Sequence, residues 1–324
     1  MPLVLDVFFT VDVEVWCDGW QDIDRKFPDA FRRYIYGPSG EFGLPFQLRV
    51  LSDHGLKAVC FVEPLFAARF GIGPLAEIVR LVEEAGHETH LHLHTEWVDE
   101  ARVALLPRIR GKRQFLHQFD LAEQAQLIAK GAECLQQAGA AKPIAFRAGS
   151  FGFNRDTIRA LAHNGILVDS SYNGSTFGLS SGVCEGELLD QPKRIDEVLE
   201  LPMSVFEDGR GLRHVQLTAC SWLELEHLLW QGLEFGHRSF VILSHGAELL
   251  TPGARAVDPT VVKRFRRLCG FLQRNSGSFR VRGFRNGELP LAPLAPVRRL
   301  HSPIWRTALR MAEQGWRRRH AWTR

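Results

Sequence analysis

Residues 87–97 read His-Glu-Thr-His-Leu-His-Leu-His-Thr-Glu-Trp, polar and apolar positions alternating at period two. As a strand, residues 87–94 place Glu88, His90, His92 and His94 on one face and the leucines on the other. A single histidine in a strand is usually a satisfied core residue. Three imidazoles on one face are hard to explain by packing and point to a metal site, one whose nitrogen and oxygen donors suit zinc or a similar divalent ion.

Around this strand, short apolar runs alternate with helical patterns, as expected of βα units about a mostly parallel sheet. Strands are expected at 3–10, 56–62, 87–94, 143–146, 166–168, 198–201 and 240–244. Helices are expected at 43–55, 74–85, 121–138, 155–164, 221–235 and 260–273. Gly86 stands where the helix before the histidine strand would stop. Seven strands suggest a barrel with its site at the C-terminal strand ends. Two segments fall outside the rhythm. Residues 100–119 form a basic excursion directly after the histidine strand, placed as a lid would be. From residue 290 the chain is proline-rich and then basic, so the expected division is a catalytic domain over 1–290 and a tail over 291–324.

Composition excludes several other classes. The chain has 324 residues, 45% hydrophobic and 24% charged, enough for one large core. A net charge of +3 gives no reason to expect a nucleic-acid partner. The cysteines at 17, 60, 134, 184, 220 and 269 are scattered without a CxxC pair, as expected of reduced thiols. The N-terminal residues lack the features of an export signal, and no apolar run reaches the roughly 20 residues of a membrane-spanning helix. A cytoplasmic protein is expected.

Ionisable residues at strand ends are costly to bury unless paired or metal-bound, by roughly 2–5 kcal/mol, so they single themselves out. Asp12 and Glu14 follow the first strand and point the same way at strand spacing, which invites a cation; two solvated carboxylates at a loop start is the other reading. Arg147 ends a strand ahead of the turn Ala148-Gly149-Ser150-Phe151-Gly152, and His245 ends the apolar run Val241-Ile242-Leu243-Ser244.

In this order the motifs resemble the polysaccharide deacetylase superfamily, the NodB-homology domain or carbohydrate esterase family 4. The resemblance spans roughly residues 3–285. The family's Thr-Phe-Asp-Asp-Gly corresponds to Thr10-Val11-Asp12-Val13-Glu14, its Gly-His-Glu start to Gly86-His87-Glu88, its arginine with an aromatic-glycine turn to residues 147–153, and its leucine strand ending in histidine to residues 243–245. Two departures stand out. Val13 occupies the usual metal-binding aspartate position, moving the acidic ligand to Glu14. The usual His-x-x-x-His becomes His92 with Glu96, so the third ligand is His94 or Glu96, and a register using His90 with His94 stays open.

The resemblance implies a distorted (β/α) barrel of about seven strands holding one divalent ion, zinc in the first instance. It implies hydrolysis of an N-acetyl or other N-acyl group on an amino sugar, in the making of surface polysaccharide or lipopolysaccharide. Asp12 is the implied base and His245 the implied acid, with Arg147 orienting Asp12 and Asp169 pairing with His245. A cytoplasmic enzyme of this kind would take a nucleotide- or lipid-linked sugar, and Ile304, Trp305, Leu309 and Trp316 among the tail's arginines allow peripheral membrane contact. A basic helix packed on its own domain is the other reading of the tail. Open functional alternatives are a cyclic-amide hydrolase of the same superfamily and a degenerate domain that only binds glycans.

Overall fold

The computed structural model describes residues 4–108, 111–184, 186–293 and 296–321, apart from the side chains of residues 316 and 318–321. In chain order it runs β1 (Leu5–Val13), α1 (Ile23–Tyr36), α2 (Leu44–Asp53), β2 (Ala58–Val62), α3 (Ala67–Phe70), α4 (Ile72–Glu84) and β3 (Glu88–Leu93). Next come α5 (Leu121–Gln137), β4 (Ala145–Ala148), α6 (Arg155–His163), β5 (Val168–Asp169), β6 (Lys193–Ile195), β7 (Val198–Glu200), β8 (Val205–Glu207) and β9 (Leu212–His214). The chain ends with α7 (Trp222–Glu234), β10 (Ser239–His245), α8 (Pro259–Arg274), β11 (Phe279–Val281), β12 (Leu300–His301) and α9 (Ile304–Ala321). Every expected strand and helix is present within a few residues.

The chain divides into two compact units. The first comprises Met1–Ala58, Ser204–Arg282 and Pro293–Arg324. Its centre is β1, buried along its whole length and paired in parallel with β10 and with β11. Phe8, Phe9 and Val11 are fully buried, each contributing roughly 1.5–3 kcal/mol of burial free energy. The register sets Asp12 opposite His245, so the two strands deliver both side chains at one end. Helix α7 begins with a capping box in which Ser221 accepts from the Glu224 amide while the Glu224 side chain accepts from Ser221. Helix α8 starts on the Asp258 cap followed by Pro259. A separate three-stranded sheet, β12-β8-β9, belongs to this unit; its strands are too short to leave a periodicity in the sequence.

The second unit comprises Val59–Met203 and Gly283–Ala292. Strands β2, β3, β4, β5 and β7 pair in parallel in that order, with β6 antiparallel to β7 at the edge. Helix α4 ends at Gly86, whose φ of 78° only glycine adopts readily. Helix α5 is capped by Asp120 and packs its Gly131 onto Leu91 and Leu93, the apolar face of β3. The leucine face therefore meets helix, as the alternation in residues 87–94 requires.

The excursion at 100–119 is tied into this unit. Lys112 donates to Glu96 O, Asp99 and Glu100, and the Thr95 hydroxyl donates to Arg113 O. Phe115 packs on Phe177 and lies so close to Gly152 that a Cβ there would meet its ring at 2.5 Å. All six cysteines are free thiols. Among the described residues, no helix is long and apolar enough to cross a membrane.

Candidate active site

In the first unit, the ends of β1 and β10 gather Asp12, Glu14 and His245, which can each offer one ligand atom within 4.8 Å of the others. Asp12 is 4% exposed. The backbone there is pinned by buried Gln47, whose amide donates to His245 O at 2.9 Å and Gly246 O at 2.8 Å and whose oxygen accepts from Ser244. The Glu14 carboxylate accepts from the Trp16 indole at 2.7 Å. These groups open into a cavity of about 320 Å³ lined also by Trp16, Tyr34 and Glu248.

The His245 Nδ1 bonds Glu248 Oε2 at 2.8 Å, three residues along the chain. Glu248 is held in turn by the Thr218 amide at 2.9 Å, the Thr218 hydroxyl at 2.5 Å and the Gln216 amide at 3.1 Å. Burial disfavours the imidazolium, but the Glu248 carboxylate, with Glu14 and Asp12 adding to it, outweighs that cost and raises His245 to about 9. His245 is thus a cation at neutral pH, with its proton on Nδ1 directed at Glu248 and its Nε2 proton available to the cavity. Burial raises the Glu248 carboxyl, but its bonds to His245 and Thr218 bring it below the usual range.

In the second unit, the polar face of β3 splits into two halves. Fully buried His90 bonds Glu88 at 3.1 Å and stacks on Phe284 with centroids 5.6 Å apart. Glu88 also accepts from the Phe284 and Arg285 amides at 2.8 and 3.2 Å. Burial lowers the His90 pKa, so its ring is neutral in this packing. The return of residues 283–285 thus holds Glu88 and His90 in packing.

His92 and His94 occupy the other half, ring centroids 4.8 Å apart and nearly perpendicular. His92 Nδ1 donates to Arg147 O at 2.7 Å, leaving Nε2 as the lone-pair atom. His94 Nδ1 faces Glu96 Oε2 at 3.3 Å, with the same consequence. Glu96 thereby fixes the orientation of the His94 ring. Gly149 makes this packing possible, because a Cβ there would lie 2.6 Å from Leu93 O and 2.8 Å from His94 Nδ1.

Arg147 is fully buried, its guanidinium 4.3 Å above the Phe61 ring and donating to Ser170 O and Ser170 Oγ. Asp169 differs from expectation. The carboxylate beside His245 is Glu248, while Asp169 accepts from Ser171 Oγ at 2.5 Å and shares a proton with Glu200 on the neighbouring strand β7. Burial raises both carboxyls, Asp169 to about 6 and Glu200 well above its ordinary range, and the Asp169 charge beside it adds to the rise at Glu200. The pair arises because β5 and β7 put residues 169 and 200 in register, and two adjacent buried carboxylates cannot both ionise. Sequence reasoning passed over Glu200 and Glu248. The available signals were an acid ending an apolar strand and one acid in the otherwise apolar run Ala247-Glu248-Leu249-Leu250.

No family model and no curated protein matches the chain. Among solved structures it is similar to a protein assigned as a polysaccharide deacetylase from Mycobacterium smegmatis, with 18% identity over 91% of this chain and 95% of that one, TM-score 0.57. A family 4 carbohydrate esterase from Streptomyces lividans aligns at 13% identity over 90% and 100% of the two chains, TM-score 0.47. A 4-alpha-glucanotransferase from Thermococcus litoralis aligns at 11% identity over 94% of this chain and 42% of that one, TM-score 0.52. The fold is therefore the α/β barrel type that the Mycobacterium smegmatis protein carries, as the motifs of the sequence led us to expect.

Proposed function

We propose that the chain is a metal-dependent hydrolase that removes an N-acetyl or related N-acyl group from an amino sugar. One observation carries this reading: at the end of β1 and β10, a buried carboxylate and a histidine held as a cation by its own glutamate stand side by side. A proton acceptor beside a proton donor is what amide hydrolysis at neutral pH needs. The fold shared with a protein assigned as a polysaccharide deacetylase supports the substrate class.

On the motifs of the sequence, the metal ligands we propose are Glu14, His92 and His94, with Glu96 orienting His94. The donor chemistry suits a divalent ion, since both imidazoles keep their protons on Nδ1 and so turn basic Nε2 atoms outward. Zinc, matched to two imidazoles and a carboxylate, would supply there a Lewis acid that lowers the pKa of a water enough for it to be deprotonated as the nucleophile. Asp12 takes the proton of the attacking water. Arg147 carries the role that the sequence resemblance implies for it, orienting the base. His245 delivers its Nε2 proton to the departing nitrogen, without which an amine is a poor leaving group. Glu248 holds the imidazole in the orientation and charge state this needs. The products are a carboxylate and a free amino sugar.

We further propose that the substrate is a nucleotide- or lipid-linked sugar of surface-polysaccharide biosynthesis. The test is acetate release from N-acetylated amino-sugar oligosaccharides and from nucleotide-linked N-acetyl sugars, comparing metal-loaded with chelator-stripped protein. Release that depends on metal supports the reading; no release from any acetylated sugar would overturn it.

A further inference from the structure

The last helix of the first unit is inside out. A surface helix normally turns its apolar stripe inward and its charges to water. Helix α9 does the reverse. Its inward side carries Arg310, 2% exposed and bonded to Asp208 at 2.9 Å with Glu224 at 3.4 Å. Thr307 donates to Asp208 O, Glu313 pairs with Arg264, and Arg317 pairs with Asp258 at 2.7 Å. The side facing out presents Ile304, Trp305, Leu309 and Met311, 45–60% exposed, with the exposed small residues Ala308, Ala312 and Gly315 between them. From 304 to 315 no exposed position of the helix is polar. Beside it, Leu223 of α7, whose carbonyl accepts from Arg306, is 41% exposed. Leu309 and Leu223 also line a groove of about 660 Å³ with Trp222, Pro259, Lys263 and Arg267.

We propose that this face docks the protein onto an anionic lipid bilayer. Inward polar anchoring fixes the helix on its own domain, so the exposed apolar face is a built feature and not a frayed end. Its continuity along one side of the helix is unlike the singly scattered apolar residues of an ordinary surface. The collar around it is cationic. Arg210 lies 3.2 Å from Met311 Sδ, Arg306 sits 4.9 Å over the Trp305 ring, and Lys263 and Arg267 edge the groove. Residues 298–324 hold eight arginines in sequence against one acid, Glu313, and two of the eight, Arg310 and Arg317, are the inward anchors. An apolar centre with tryptophan at its boundary and arginines around it matches a negatively charged lipid interface. A second copy fits less well, since a two-fold contact through this face would set one arginine collar against the other. The inference is independent of the deacetylase reading.

The test is co-sedimentation of the full chain with vesicles of phosphatidylcholine containing about 30% phosphatidylglycerol and with vesicles of phosphatidylcholine alone. The wild type is expected to bind the anionic vesicles about tenfold or more tightly than the neutral ones, and to weaken as salt is raised. The double variant Trp305→Ser, Leu309→Ser removes apolar surface at exposed positions and is expected to bind about tenfold or more weakly. As a readout that needs no variant, brominated lipids should quench wild-type tryptophan fluorescence. Equal binding by the variant, absence of quenching, or a wild-type dimer that the variant converts to monomer without any vesicle binding would each overturn the proposal.

Discussion

Replacing Glu248 with glutamine removes one charge and nearly preserves shape, which isolates what that carboxylate does for His245. Glutamine can still accept from the Thr218 amide and hydroxyl through its oxygen, so the loop that Glu248 organises keeps its main contacts. The bond from His245 Nδ1 loses its ionic partner. With Glu248, the imidazole stands at about 9 despite the opposing cost of burial. Without it, burial is opposed only by Glu14 and Asp12, and the value should return to the ordinary 6.5 or below. At pH 7.5 a group at about 9 is about 97% protonated, and one at about 6.5 only about 9%, so the acid form falls by about tenfold. His245 is about a third exposed, so solvent screening moderates the change and about tenfold is the central expectation. Turnover at pH 7.5 should drop by that factor or more while KM changes little, because a proton donated in the transition state is what is lost. The basic limb of the kcat profile should move from near 9 towards 6.5, with partial recovery below pH 6.5. Titration of the His245 ring by NMR gives the same shift without catalysis. An unmoved basic limb, or an unmoved ring, would refute the role given to Glu248.

Two further outcomes follow from the same geometry. Asp12→Asn should retain metal and fold but lose turnover by about 10²–10⁴-fold in an acetate-release assay, since it removes the proton acceptor while keeping the shape. Glu200→Gln should flatten the pH dependence of stability. Both buried carboxyls are raised, so their favourable contribution is complete below about pH 4 and is lost as pH rises through about 6 for Asp169, with Glu200 raised in the same direction. Glutamine keeps the acceptor for the Tyr172 amide and offers Asp169 a permanent donor, so thermal melts should favour the variant by a few degrees at pH 8 and show no advantage at pH 4.5.

The sequence made the scaffold legible because each βα unit announces itself locally. The alternation at 87–94, the apolar runs behind Asp12 and His245, and the helix stop at Gly86 are properties of adjacent residues. What escaped depends on distant ones. Nothing near Glu88 and His90 signals that residues 283–285 return to bind them, so a row of four polar side chains looked uniform when its first half is held in packing. The Asp169–Glu200 pair is created by register between strands about 30 residues apart. Helix α1 also left no clear trace, with Pro28 and many charges in its sequence. The tail was legible as basic and aromatic, but not in its orientation. Arg310 and Arg317 turn inward to acids supplied by other elements, and the outer face is apolar where arginines among aromatics were expected.

The claim on which all the chemistry rests is that this chain binds one divalent ion through His92 and His94. Elemental analysis of purified protein, wild type beside His92→Ala, tests it most directly. Loss of an outer partner of a metal histidine already costs about 10–100-fold in affinity, so loss of a ligating ring should cost more. About one equivalent of metal in the wild type and almost none in the variant is the expected result. Wild-type protein that takes up no divalent ion after dialysis against zinc, or a variant that keeps its full equivalent, would contradict it.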